Sequence, residues 1–370
     1  KTEQTIFLAA FGFEGITLLA AAFFSFQKFL RRPSVDQEVS FSVPVWLIIA
    51  LTLVGGVSIL IGYGIGEIKA INWLVLPILT IPAVVFPLLV LLMFGARKLP
   101  VGTRWQTWNI LGLGMTLAPF LLFTFEIIVG LVILFIVIAY IVTQPHLASD
   151  LQTLSDQIMV LGPQSQAAID LLAPLVTKPA VIVTILIYVA LLVPIIEEIF
   201  KPLGVWLFAG KLDTPAQGFT LGALSGAAYG LIETLNISGQ PGDWAVLLFS
   251  RIGTGLLHIT TSALMGAAIV LAWRQRRYLR LLGTYLLAVL FHGSWNALAV
   301  LFSISDLSKS LDQPDWLHNI QQPITIAMVI LAMGLFAILV ITNRRLRKTV
   351  SPALVETTVP PENMDTSLTP

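Results

Sequence analysis

Residues 180–208 read AVIVTILIYVALLVPIIEEIFKPLGVWLF. Apart from Glu197, Glu198 and Lys201 the run is apolar on every face, and it is longer than the roughly 20 residues that carry an α-helix across a ~30 Å hydrocarbon core. A surface helix of a soluble protein keeps one polar face, and this run has none. Charges within such a stretch cost ~3 kcal/mol or more each unless they are paired or face water. The stretch therefore sets the fold class and marks a site at once.

Eight more apolar runs accompany it, at 5–26, 45–65, 73–94, 109–143, 216–236, 244–273, 279–302 and 323–342. Of the 370 residues, 56% are hydrophobic and 11% charged, with mean hydropathy +0.89. A soluble domain carries about 25% charge, so no compact globule could hide this much apolar surface, and a soluble enzyme is excluded. The all-round apolarity excludes a β-barrel, whose strands alternate. A net charge of +1 leaves no basic face for nucleic acid. With no cysteine there is no disulfide, thiol nucleophile or thiolate metal site. The chain reads as an all-α polytopic protein of the cell membrane, multi-pass, with about nine transmembrane helices.

Lys and Arg concentrate in cytoplasmic loops. With the N-terminus outside and one crossing per run, sixteen of them fall in inside segments and four in outside ones, which places the C-terminus in the cytoplasm. Splitting 109–143 would put the densest Arg clusters outside, so one long helix is expected there. Residues 1–143 then hold helices one to four, and 144–179 form an extracytoplasmic amphipathic connector in which Leu147, Leu151, Leu154 and Ile158 share a helical face. Residues 180–302 are the membrane core with helices five to eight, and 303–348 the final helix with its basic end. The tail 349–370, rich in Pro, Thr and acid, reads as disordered.

The ionisable residues within the runs are Glu14, Glu126, Glu197, Glu198, Lys201, Glu233, Arg251, His258 and His292, with Asn296 as a neutral companion. Most lie in runs five to eight. Adjacent helical residues point about 100° apart, so Glu197 and Glu198 are expected to face different ways while Lys201 returns to Glu197 at i+4. Pro194 and Pro202 free backbone carbonyls and bend the helix. Gly218, Gly222, Gly226 and Gly230 form a stripe that admits a neighbouring helix. Arg251 is expected to pair with Glu14, and Glu233 to lie near the outer end of its span, away from the level of the other groups.

Two chemistries suit these groups. In the preferred one, which needs no cofactor, a Glu carboxylate takes a proton from water, the hydroxide attacks an amide, and His292 with Asn296 stabilises the oxyanion. In the other, Glu197, Glu198, His258 and His292 ligate a divalent metal such as zinc that activates the water. No His-Glu-x-x-His helix signature is present. A different class is a proton- or cation-coupled transporter with Glu14, Glu126, Glu197 and Glu233 as a relay. It calls for inverted repeats, which the two halves do not display. A non-catalytic membrane scaffold is the third reading.

Four segments in order, Glu197-Glu198-Ile-Phe-Lys201, Gly226-Ala-Ala-Tyr229-Gly-Leu-Ile-Glu233-Thr-Leu-Asn236, Arg251 with His258, and His292-Gly-Ser-Trp295-Asn296, resemble the PrsW family of intramembrane proteases. That family is related to the CAAX prenyl-protein endopeptidases. The resemblance covers about 194–299 and implies cleavage of a membrane-anchored protein, such as an anti-sigma factor. It implies that Glu197 and Glu198 activate water, and that Glu233 assists from the place where the CAAX relatives have a histidine. His258 would be the family's histidine in the following span, and His292 with Asn296 would form the oxyanion site. Lys201, Arg251 and Tyr229, the last replacing a commoner Phe, would support them.

Overall fold

A computed structural model describes residues 1–40, 43–162, 165–236, 244–309 and 319–356. Its helices are α1 (Thr2–Phe29), α2 (Val45–Gly66), α3 (Asn72–Ala96), α4 (Arg104–Met115), α5 (Leu117–Val142), α6 (Pro145–Leu161), α7 (Gln166–Val176), α8 (Pro179–Leu186), α9 (Val193–Phe200), α10 (Leu203–Phe208), α11 (Pro215–Leu235), α12 (Trp244–Gln275), α13 (Tyr278–Lys309) and α14 (Gln321–Glu356). Two short strands, β1 (Glu38–Ser40) and β2 (Pro100–Thr103), pair antiparallel between the helices. This is an all-α, multi-pass membrane protein.

Among the described residues, eight helical stretches are long and apolar enough to cross a membrane, one fewer than expected. The run that does not qualify, 216–236, became α11, which falls short because it is rich in Gly, Ala, Ser and Thr. Those residues suit a helix that meets protein rather than lipid, since small side chains let backbones approach. Nearly every residue from Ala216 to Leu235 is buried. The helix is capped by Thr214, whose Oγ1 accepts from Gln217 N at 3.2 Å, while Gln217 Oε1 accepts from Thr214 N at 3.3 Å. It packs against α1, α3, α4, α10 and α12.

The glycine stripe meets α12. A Cβ built at Gly218, Gly222 or Gly226 would land on the carbonyl oxygen of Gly266, Ser262 or His258 respectively. The two helices thus touch backbone to backbone. On α11, Tyr229 and Glu233 share the stripe's side, whereas Leu224, Ala227, Ala228 and Leu231 point the other way, into a cavity of about 600 Å³ bounded by α3 and α4.

Three other expectations need correction. The 109–143 run falls in a single candidate span, Arg104–Val142, as one crossing requires, but it is not one unbroken helix, because it breaks at Thr116 (φ −127°, ψ −77°) between α4 and α5. The connector is two helices, α6 and α7, although Leu151, Leu154 and Ile158 are less exposed than their neighbours on α6, as a shared face requires. The last helix continues to Glu356, past the start expected for the tail, and 357–370 lie outside the described residues.

Candidate active site

The fifth run delivers most of the charge, and it is not a plain helix. After α8, residues Ile187–Leu192 form a π turn in which the Val193 N–H reaches back five residues to the Tyr188 carbonyl. The extra residue turns everything after it by about 100°. α9 then carries Glu197 and Glu198, both buried. It stops at Lys201, ahead of Pro202, and the Lys201 carbonyl accepts from Ser225 Oγ at 2.5 Å. The break expected from the two prolines is present, and α11 holds the loose end.

Glu197 and Glu198 converge, contrary to expectation, because Lys201 sits between them, three and four residues on, and reaches both. Its ammonium is fully buried, 2.6 Å from Glu198 Oε1 and 3.2 Å from Glu197 Oε2. It also lies 3.0 Å from His258 Nδ1 and 3.1 Å from His292 Nδ1. Three spans, through α9, α12 and α13, therefore meet at one nitrogen. An ammonium has three protons for these four neighbours, and Glu197 Oε2 is the one left with an ion pair but no hydrogen bond. Glu198 Oε2 is also buried without a donor.

A lysine only donates, so His258 Nδ1 must accept and its Nε2–H donates to Glu233 Oε2 at 2.8 Å. Glu233 in turn pairs with Arg251 at 2.5 Å, and Arg251 Nε donates to Thr234 Oγ1 at 3.2 Å. Glu233 therefore reaches the cluster through His258. It stands behind the imidazole, fixing its tautomer, as the carboxylates behind metal-bound histidines do. Arg251 does not pair with Glu14. Residues 251 and 258 lie two turns apart on the face of α12 that packs on α11, so both meet Glu233. The Glu14 carboxylate accepts instead from Asn236 Nδ2 at 3.0 Å.

His292 Nδ1 is 2.9 Å from Glu198 Oε1, and its Nε2 is 3.7 Å from Glu197 Oε2. The Tyr229 ring meets His258 edge-on at 5.0 Å and lies 5.5 Å from the Lys201 ammonium, forming an aromatic wall. Asn296 does not join the cluster. Its Nδ2 donates to the Val189 carbonyl at 2.9 Å, on the π turn. The expected His292–Asn296 oxyanion pair is thus divided: one side chain faces the charges and the other holds the backbone that carries them.

The protease reading of the sequence left Glu126 without a role. α5 brings it beside α9, where Phe125 stacks on Phe200 at 5.1 Å and Tyr188 Oη donates to the Glu126 carbonyl at 3.0 Å. Its carboxyl group is close enough to Glu197 to interact with it. Ser225, Tyr188 and Tyr285 also serve the site and were missed. An uncharged hydroxyl in an apolar run carries no signal of its own.

Ligand atoms of Glu197, His258 and His292 lie within 4.8 Å of one another. One carboxylate with two imidazoles is a donor set for zinc and similar divalent ions, and Glu197 Oε2, which accepts no hydrogen bond, keeps lone pairs free to ligate one. Glu198 is outside that group of three. Its Oε1 accepts from Lys201 and lies 2.9 Å from His292 Nδ1 instead, so the four-ligand set is reduced. The Lys201 ammonium holds the central position, and a divalent ion bound there would displace it.

The family model of PrsW intramembrane metalloproteases matches residues 119–339, more than half of the chain, including every residue of the cluster around Lys201. The chain belongs to the PrsW family. No curated protein and no solved structure matches it. The match extends well beyond the segment that carried the resemblance, from α5 to α14, and takes in Glu126. PrsW proteins are membrane proteases by description, which supports the protease reading over the transporter.

Proposed function

We propose that this PrsW protein hydrolyses a peptide bond in a membrane-anchored protein, at a site formed by Glu197, Glu198, His258 and His292. One observation carries the reading: ionisable side chains from three spans surround the buried Lys201 nitrogen at 2.6–3.2 Å. Scattered charges, each neutralised locally, would be a structural pattern. Convergence with two buried carboxylate oxygens that lack a hydrogen-bond donor is the pattern of a catalytic site.

Glu197, His258 and His292 would hold a divalent cation such as zinc. When bound, it would polarise the scissile carbonyl and lower the pKa of a bound water. The donor-less oxygen of Glu198 takes the proton of the attacking water and returns it to the leaving amine. Glu233 keeps the His258 lone pair inward, with Arg251 fixing Glu233. The Tyr229 ring and the apolar walls keep bulk water away, which strengthens every charge in the site. The substrate class is a protein held in the bilayer, with an anti-sigma factor as the type suggested by the resemblance.

The test is turnover of a quenched transmembrane peptide by purified protein in nanodiscs. Glu197→Gln and His292→Ala should each lower kcat about 10²–10⁴-fold while melting cooperatively. Wild-type turnover in both variants would overturn the reading.

A further inference from the structure

Asn296 sits on α13 one turn beyond the catalytic imidazole of His292, yet its amide is bonded to a backbone carbonyl of another span. The reason lies in the π turn. Val193 N–H is bonded five residues back to Tyr188, so the next bond of the series would run from residue 194 to the Val189 carbonyl. Residue 194 is proline and has no N–H to give. The Val189 carbonyl would be left without a donor inside the membrane, where no water replaces it. Asn296 Nδ2 supplies that donor at 2.9 Å.

Neighbouring contacts centre on the same place. A Cβ built at Gly293, one turn before Asn296, would land on the Ala190 carbonyl, so α13 touches span five at two successive carbonyls. Further along, Tyr285 Oη donates to the Ile195 carbonyl at 2.8 Å. Trp295, between Gly293 and Asn296, anchors α13 on α12 through its Nε1 to Thr254 Oγ1 at 3.2 Å. α13 thereby grips span five along the segment that sets the rotation of α9.

We infer that Asn296 is a positioning residue: it replaces the N–H that Pro194 lacks, holds the π turn, and so sets the direction in which Glu197 and Glu198 point. Loss of the turn would rotate α9 by about 100° and carry both carboxylates off the two histidines. The inference rests on the proteolytic reading for its consequence in turnover, but its structural part stands alone.

Restoring the missing N–H provides the test. Asn296→Ala, Pro194→Ala and the double variant are compared with wild type in nanodiscs by melting temperature and by kcat and KM on the quenched transmembrane peptide. Asn296→Ala should lower the melting temperature and reduce kcat at least tenfold with KM little changed. Pro194→Ala should stay near wild type, and the double variant should regain both properties, because the alanine N–H now serves Val189. A double variant that regains melting but not kcat would overturn the inference and assign the amide to the oxyanion. So would one that regains neither, or an Asn296→Ala protein with wild-type behaviour. If wild type itself cleaves nothing, the proteolytic reading fails, and the melting temperatures still decide whether residues 194 and 296 satisfy one carbonyl.

Discussion

Lys201 shows how much a single position can hold together. Its ammonium is the cation among two glutamates and two imidazoles, and the arrangement follows from its spacing of three and four residues from the two acids. The residues of this centre were legible because ionisable groups in an apolar run have no inexpensive alternative to meeting each other. Their pairings were not. Arg251 could have met Glu14 or Glu233, and only the docking of α12 on α11 selects Glu233. That pairing makes a testable distinction between two membrane glutamates. Glu233→Ala should lower kcat/KM about 10–100-fold by releasing His258. Glu14→Gln should leave it within about twofold, since Glu14 bonds Asn236 and no described contact links it to the centre. Equal effects of the two substitutions would refute the role given to Glu233. Metal dependence belongs to this scale too. Dialysis against a chelator should abolish turnover, and added zinc should restore it while unrelated monovalent salts do not. Turnover that survives chelation, with no metal in the sample by elemental analysis, would leave the carboxylates to work alone.

The decisive elements are α11 and α12. Their backbone contact brings His258 onto Glu233, and it exists because the four glycines of α11 have no side chains there. The stripe was readable from the sequence as a close-packing device, and its consequence for the site follows once Tyr229 and Glu233 are placed on the same side of the helix. A larger residue cannot be accommodated by backbone, so Gly226→Leu should lower stability by 3 kcal/mol or more, beyond the ~1–3 kcal/mol typical of overpacked cores. Gly283→Ala is the control, because nothing lies within 4 Å of a Cβ at that position, and alanine there should be neutral or stabilising by ~0.5–1 kcal/mol. Melting in detergent by circular dichroism measures both, and equal melting temperatures would contradict the close-contact account. The π turn was not legible. Its residues, IYVALL by sequence, are as apolar as any other part of a span, and only Pro194 hinted that a carbonyl would need help. The break at Thr116 was equally silent.

At the scale of the molecule, the membrane itself made the fold readable. Lipid demands apolar side chains all round, so composition alone reveals the spans. α5 is the extreme case, with only Ala118, Pro119 and Leu122 fully buried and most of its remaining residues exposed or half-exposed. α11 escapes the same test because it is sheathed in protein. The outcome is a bundle whose central helix is rich in small residues, with the charges gathered on the side of that helix facing α12. Such an architecture isolates one polar centre within an apolar body, which is what hydrolysis inside a bilayer needs. The most direct measurement is cleavage of a transmembrane peptide by the reconstituted protein in H₂¹⁸O, read by mass spectrometry. The expected result is a single ¹⁸O in the new carboxyl terminus, at a bond within the apolar segment, from wild type and not from Glu197→Gln or His292→Ala. An intact peptide with wild type, or the same labelled product from all three proteins, would contradict a hydrolytic centre at Lys201.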